Sequence, residues 1–217
     1  MLDEIWVPTA FHSETFRASG VVASKLHIVP EPVDTGFFDP AAVVTPLVLP
    51  MGKAVAGPPG KKATLATGSE FAFLSVFKWE DRKGWDILLR AFAETFTADD
   101  NVALYLLVSR FHQTDDLARL ARDYIQRIVS VEGRTPAPVH VIDKFLSAEN
   151  LRRLYQAVDA FVLPSRGEGW GRPHVEAMAM SLPVIATNWS GPTAFLTAAN
   201  GCVQHGSCRR PAEAEHA

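Results

Sequence analysis

Long apolar runs are missing from this 217-residue chain: no stretch reaches the roughly 20 residues that a helix needs to cross a bilayer. The start, MLDEIWVPTAF, lacks the basic and apolar regions of a secretory leader, so the expected setting is the cytoplasm. An excess of one charge is missing too. With 21 Lys and Arg against 24 Asp and Glu, the formal net charge is -3, which gives no global basic field for an extended nucleic-acid surface but leaves room for a local basic pocket. Cysteine is nearly absent. Cys202 and Cys208 flank His205, with only His216 nearby at no recognised spacing; a structural zinc wants four ligands, so both cysteines are expected to be free thiols. There is no internal repeat, no coiled-coil heptad and no D-x-D or other metal-ligand cluster, so no metal is expected. The segment GPPGKKAT at 57–64 misses the phosphate-loop spacing, since position 55 is Val and Thr64 follows Ala63. Gly167, Gly169 and Gly171 likewise stand in the wrong register for a dinucleotide-binding fingerprint.

What is present is ordinary globular material, 47% apolar and 21% charged, enough for one good core. Apolar runs alternate with helical patterns. A strand is expected at 4–8 (EIWVP), a short helix at 11–20 and a strand at 25–30 (KLHIVP). Residues 39–69 hold most of the Pro and Gly punctuation and read as a linker or surface insertion. A regular series follows: strand 71–77, helix 84–96, strand 102–109, helix 115–129, strand 139–143, helix 147–158, strand 160–164, a glycine-rich turn with its helix, and strand 182–187. Strands of Val, Ile, Leu and Phe with little alternation, separated by helices, predict an α/β fold: a Rossmann-like parallel sheet with helices on both faces.

The most informative residues are EGWGRPHVE at 168–176, directly after the apolar run AFVLP. Strand, glycine-rich turn and helix start follow one another, and Pro173 suits the first helical position. The turn then offers bare backbone N–H groups at the positive end of a helix dipole, which attracts phosphate. Glu168 before the turn and Glu176, expected within the first helical turn, would flank the bound anion, and carboxylates beside a phosphate site usually bind hydroxyls. A diphosphate with polyols at both ends is a nucleotide sugar. The dipole alone would also favour an acidic residue there, so the motif needs its neighbours. KWEDRKGWD at 78–86 puts Lys78 at the carboxyl end of the first strand of the series and Lys83 just before a helix opening at Gly84. If that strand and the fourth are neighbours, as in a doubly wound sheet, both lysines face the EGWG turn across one cleft, where ligands of open α/β sheets collect.

From Asp3 to about Gly201 the chain resembles the retaining glycosyltransferases of the GT-B fold in the large group-1 (family 4) class, whose donor half ends in an E-x7-E element. The blocks that carry the resemblance, in order, are DEIWVPTAFHSETFRASGV, KLHIVPEPVDTGFFDP, FLSVFKWEDRKGWDILLRAF, VIDKFLSAENLRRLYQAVDAFVLPSRGEGWGRPHVEAMAMSLPVIAT and SGPTAFL. It implies that Lys78 and Lys83 stand at the two diphosphate-binding cations, the first being Lys where the family has Arg. It also implies that Glu168 contacts the donor sugar and Glu176 the ribose diol, with the backbone of Gly169, Trp170, Gly171 and Arg172 along the diphosphate and sugar. SGPTA departs from the family's GGxxE element by offering Ala194, and His174 stands where an aliphatic residue is more common and is read as packing.

The resemblance further implies a division of the chain. Residues 1–38 would be a remnant of the N-terminal half, 39–69 a linker or insertion, 70–200 an incomplete nucleotide-sugar donor-binding domain and 201–217 an irregular tail, with the product truncated at both ends. The expected activity is retaining transfer from a nucleotide-diphosphate sugar to an acceptor hydroxyl, without a cofactor or metal and weak or absent in this chain alone. The alternative is a non-catalytic remnant that binds a nucleotide sugar or another protein. Loss of neighbouring strands would leave LPVIAT as a sheet edge and promote self-association through exposed apolar edges.

Overall fold

The computed structural model describes residues 2–42, 45, 47, 52–57, 70–110 and 116–204. The calls on Cys208, His205, His216 and most of GPPGKKAT fall outside them. The chain opens with a small parallel pair, β1 (Ile5–Val7) and β2 (Leu26–Ile28), joined by helix α1 (Ala10–Ala18). Thr9 caps α1 by accepting the His12 N–H at 3.3 Å. No residue of α1 is buried, and Trp6 and Ile28 are left 68% and 51% exposed, so this unit keeps an uncovered apolar side.

The main sheet has seven strands, in the order β3 (Lys53–Ala56), β6 (Val139–Ile142), β5 (Val102–Ser109), β4 (Phe71–Lys78), β7 (Ala160–Leu163), β8 (Val184–Thr187) and β9 (Cys202–Gln204). Every pairing is parallel except that of β3 with β6. The expected series is present, and β4 does pair with β7 through Phe73↔Ala160 and Leu74↔Phe161, which puts the switch in strand order between them.

Helices α2 (Trp85–Thr95) and α3 (Leu117–Glu132) cover one face, with Phe73 against Phe92 and Phe96. Helices α4 (Ala148–Gln156) and α5 (Arg172–Ala179) cover the other, where Phe161 meets Tyr155 and His174. Phe73 and Leu74 alternate across the sheet, so the continuous apolar strands reflect burial on both faces, and Ala103 to Leu106 of β5 are fully buried.

Two expectations need correction. The stretch expected as a linker or insertion supplies β3, and the tail expected to be irregular supplies β9, which pairs with β8 through Ile185↔Cys202 to Thr187↔Gln204. LPVIAT is therefore not a sheet edge. KAVA of β3 lies among glycines and prolines that read as loop, and the three residues of β9 are too few to show a period.

Candidate functional site

Three turns at the carboxyl ends of β4, β7 and β8 interlock. The chain leaves β4 at Lys78 and passes through a 3-10 turn, Asp81–Lys83, closed by Gly84 at φ 67°. A Cβ on Gly84 would lie 2.1 Å from the Pro164 carbonyl oxygen, so only glycine lets this turn rest on the chain leaving β7. The Arg166 N–H donates to the Arg82 carbonyl at 2.7 Å, and the Arg166 guanidinium forks onto Asp86 at 2.8 and 2.6 Å. The turn after β8 closes the set from the other side. The Glu168 N–H donates to Ser190 Oγ at 2.8 Å, the Gly191 N–H donates to the Glu168 carbonyl at 3.1 Å, and a Cβ on Gly191 would lie 2.3 Å from the Gly169 carbonyl oxygen.

This floor brings Lys83 onto Glu168. Lys83 Nζ lies 2.7 and 2.8 Å from the two carboxylate oxygens, with both side chains largely shielded from solvent. Arg82, to which the sequence reading gave no role, adds Nη1 to Glu168 Oε2 at 2.9 Å and to the Gly167 carbonyl at 2.6 Å, and Nη2 to Glu80 at 2.8 Å. Burial pulls the Arg82 pKa down, but the bonds and charges of Glu168 and Glu80 outweigh it and leave it raised. The Arg-Lys pair in KWEDRKGWD was the only sequence signal for this third cation.

Glu176 does not lie where the sequence places it in the helix. Helix α5 starts at Arg172, so Pro173 is its second residue and Glu176 lies beyond the first turn. The helix dipole therefore does little for Glu176. Its surroundings are burial, a hydrogen bond from Tyr155 Oη at 3.0 Å, and the Arg172 guanidinium at 4.0 Å. Burial raises the Glu176 pKa against the opposing effects of Tyr155 and Arg172. The Tyr155 hydroxyl, wholly buried, is itself raised well above its ordinary value by burial and by the Glu176 charge, so it stays protonated and donates. Tyr155 reads in sequence as an apolar-face residue of α4, and nothing there marks its hydroxyl.

Gly171 caps α5 at φ 102°, and a Cβ on it would lie 2.8 Å from His174 Nδ1. His174 is fully buried behind this turn and packs edge-on to Phe161 at 5.5 Å. Burial lowers its pKa, aided by Lys83 and opposed by Glu168 and by the backbone of Leu163 and Gly171, so the ring is held neutral. Gly169 and Arg172 are exposed, and Trp170 is half-buried against Phe195 at 5.0 Å.

Lys78, Arg82, Lys83 and Pro173 line one cleft of about 590 Å³, whose apolar wall includes Phe145, Leu146 and Leu151. Phe145 stands almost wholly exposed at its rim. Lys78 and Lys83 thus share a cleft with Pro173 of α5, but no residue from Glu168 to Arg172 lines it, and the EGWG turn is reached instead through the direct contact of Lys83 with Glu168. Among the described residues no group of His, Cys, Asp and Glu is arranged to hold a metal ion, and no helix is long and apolar enough to cross a membrane.

Residues 68–214, more than half of the chain, match the family model described as glycosyl transferases group 1. The chain belongs to this family. Among its relatives, the mannosylfructose-phosphate synthase of Agrobacterium fabrum is 25% identical over 79% of this chain and 34% of its own length. The D-inositol 3-phosphate glycosyltransferase 1 of Catenulispora acidiphila is 32% identical over 63% of this chain and 32% of its own length. Anabaena HepE, solved in complex with UDP and glucose, superposes with a TM-score of 0.69 at 18% identity, over 95% of this chain and 50% of that one. The group-1 chain described here thus spans about a third of these curated relatives and half of the solved structure, and its sheet and helices match the GT-B fold.

Proposed function

We propose that this chain is the donor-binding part of a glycosyltransferase that takes a sugar from a nucleoside-diphosphate sugar and passes it, with retention, to an acceptor hydroxyl. The observation that carries the reading is the direct contact of Lys83 with Glu168. It joins the turn after β4 to the turn after β7 at the switch point, beside Lys78 and the start of α5. Lys78, Lys83 and the amides around Gly171 meet the diphosphate, Glu168 accepts from sugar hydroxyls and Glu176 from the ribose diol. The chemical barrier is departure of the nucleoside diphosphate from the anomeric carbon. Cations already in place where that charge develops lower it, the usual large electrostatic contribution. The donor-binding unit is residues 70–200, to which β3 and β9 add edge strands.

Transfer also needs an acceptor held in near-attack geometry, worth ~7 to 11 kcal/mol. Nothing in the assigned donor site does this, so the 217-residue chain alone should bind donor and show at most slow donor hydrolysis. Calorimetry with UDP, GDP and ADP, each with and without EDTA, tests the reading. Micromolar binding of one of them that survives EDTA is expected, and no binding of any by folded protein would refute it. A second reading, a non-catalytic interaction module, draws on exposed Trp6 and Ile28. It requires that chains altered at these residues lose a protein partner while keeping any nucleotide affinity.

A further inference from the structure

Glu168 is assigned to the donor sugar and Lys83 to the diphosphate beside it, yet in this structure they hold each other. Lys83 has three N–H donors, and two of its contacts are to Glu168, at 2.7 and 2.8 Å. The third can meet a diphosphate, and as the flexible ammonium turns toward that anion its hold on Glu168 loosens. A carboxylate left behind with 7% of its side-chain surface exposed then needs another cation, or its desolvation weakens the site that should accept sugar hydroxyls.

Arg82 is placed to be that cation and cannot follow Lys83. Its guanidinium is held at three points, by Gly167, Glu168 and Glu80, and its own carbonyl accepts the Arg166 N–H at 2.7 Å. The planar fork fits this triangle, and an ammonium would satisfy only part of it. Resting on the donor-site reading given above, we propose that Arg82 is a positioning residue: it keeps Glu168 charge-compensated and aimed at the donor sugar while Lys83 swings to the diphosphate. Lys83 then acts as the moving cation and Arg82 as the fixed one. The Arg82 side chain is 46% exposed, so solvent screening discounts its effect to about three- to tenfold, below the range for a shielded hydrogen bond to a charged group.

The test compares UDP with UDP-glucose and GDP with GDP-mannose by calorimetry on the whole chain. The quantity read is the ratio of the Kd for the nucleotide sugar to the Kd for the matching diphosphate. Arg82→Leu should raise that ratio about three- to tenfold, and Arg82→Lys should recover part of the loss. In a Glu168→Gln background, Arg82→Leu should change the ratio no further, because the group that Arg82 positions is already uncharged. If Arg82→Leu fails to fold, as judged by circular dichroism, Arg82→Gln is read in its place. A ratio equal to that of the parent overturns the proposal. So does an equal loss for diphosphate and nucleotide sugar, which would put Arg82 on the phosphates, or a full effect that persists in Glu168→Gln. Parent protein that binds no nucleotide at all would instead refute the donor site itself.

Discussion

Replacing Glu176 by Gln should move folding stability and ligand affinity in opposite directions. Burial holds the Glu176 pKa above its ordinary value of 4.5, against the weaker help of Tyr155 and Arg172. The sign follows from linkage. Below pH 4.5 the carboxyl is protonated in both folded and unfolded chains and costs nothing. As pH rises through its elevated folded value, the unfolded chain releases the proton first, and stability falls until both states are ionised. Glu176→Gln keeps an oxygen for the Tyr155 hydroxyl at 3.0 Å and removes the buried charge. Its Tm should exceed the parent's at pH 7 to 8, and the gap should close below about pH 4.5. Affinity goes the other way: a hydrogen bond from a ribose hydroxyl to a charged carboxylate is worth ~1.5 to 3 kcal/mol, so the Kd for nucleoside diphosphate should rise about ten- to hundredfold. Thermal melts across pH and calorimetry at pH 7.5 read both arms. A lower Tm at neutral pH would mean that the charge is better solvated than its burial implies, and an unchanged Kd would remove Glu176 from the ribose.

Three further outcomes are expected. Glu168→Gln should weaken binding of the intact nucleotide sugar about tenfold or more while affecting the free diphosphate much less, and equal losses in calorimetry would end the division of roles between the two glutamates. Gly84→Ala should destabilise the fold by more than the ~1 kcal/mol strain of a left-handed alanine, because its Cβ meets the Pro164 carbonyl oxygen at 2.1 Å; a Tm within a degree of the parent's would refute that backbone contact. Burial depresses the pKa of both His140 and His174, so their contribution to stability is present above pH 6.5 and lost as pH falls below it; His140→Phe, which can keep the ring stacking on Tyr105, should flatten the decline between pH 6.5 and 5, and an unaltered slope in denaturant titrations would exclude His140 as its source.

The central sheet was legible because strands such as FAFLSVF and VALYLLVS are long, continuously apolar and separated by amphipathic helices. β3 and β9 were not, since KAVA lies among glycines and prolines and CVQ is too short to show a period. Lys78, Lys83, Glu168 and Glu176 could be picked out because a turn after one strand and a turn after another converge when those strands pair. The contacts of Arg82, Tyr155 and Ser190 could not, because each depends on which way a side chain faces across a distance of 21 to 86 positions in sequence. Glu176 was assigned to the first helical turn because Pro173 read as the opening residue, and a shift of one position moved it out of reach of the dipole.

The interlocking of the three carboxyl-end turns bears on how the molecule breathes. Loops usually open first and independently, whereas here the amides of Arg166, Glu168 and Gly191 each donate to a neighbouring turn, and Gly84 and Gly191 leave no gap for one to slide past another. These amides should exchange with solvent deuterium as one group, at rates closer to those of the flanking strands than of the exposed stretch around Phe145. On the proposed donor-site reading, the surface that would meet a ligand is then set before the ligand arrives, and what is left to adjust is a few side chains, Lys83 first among them.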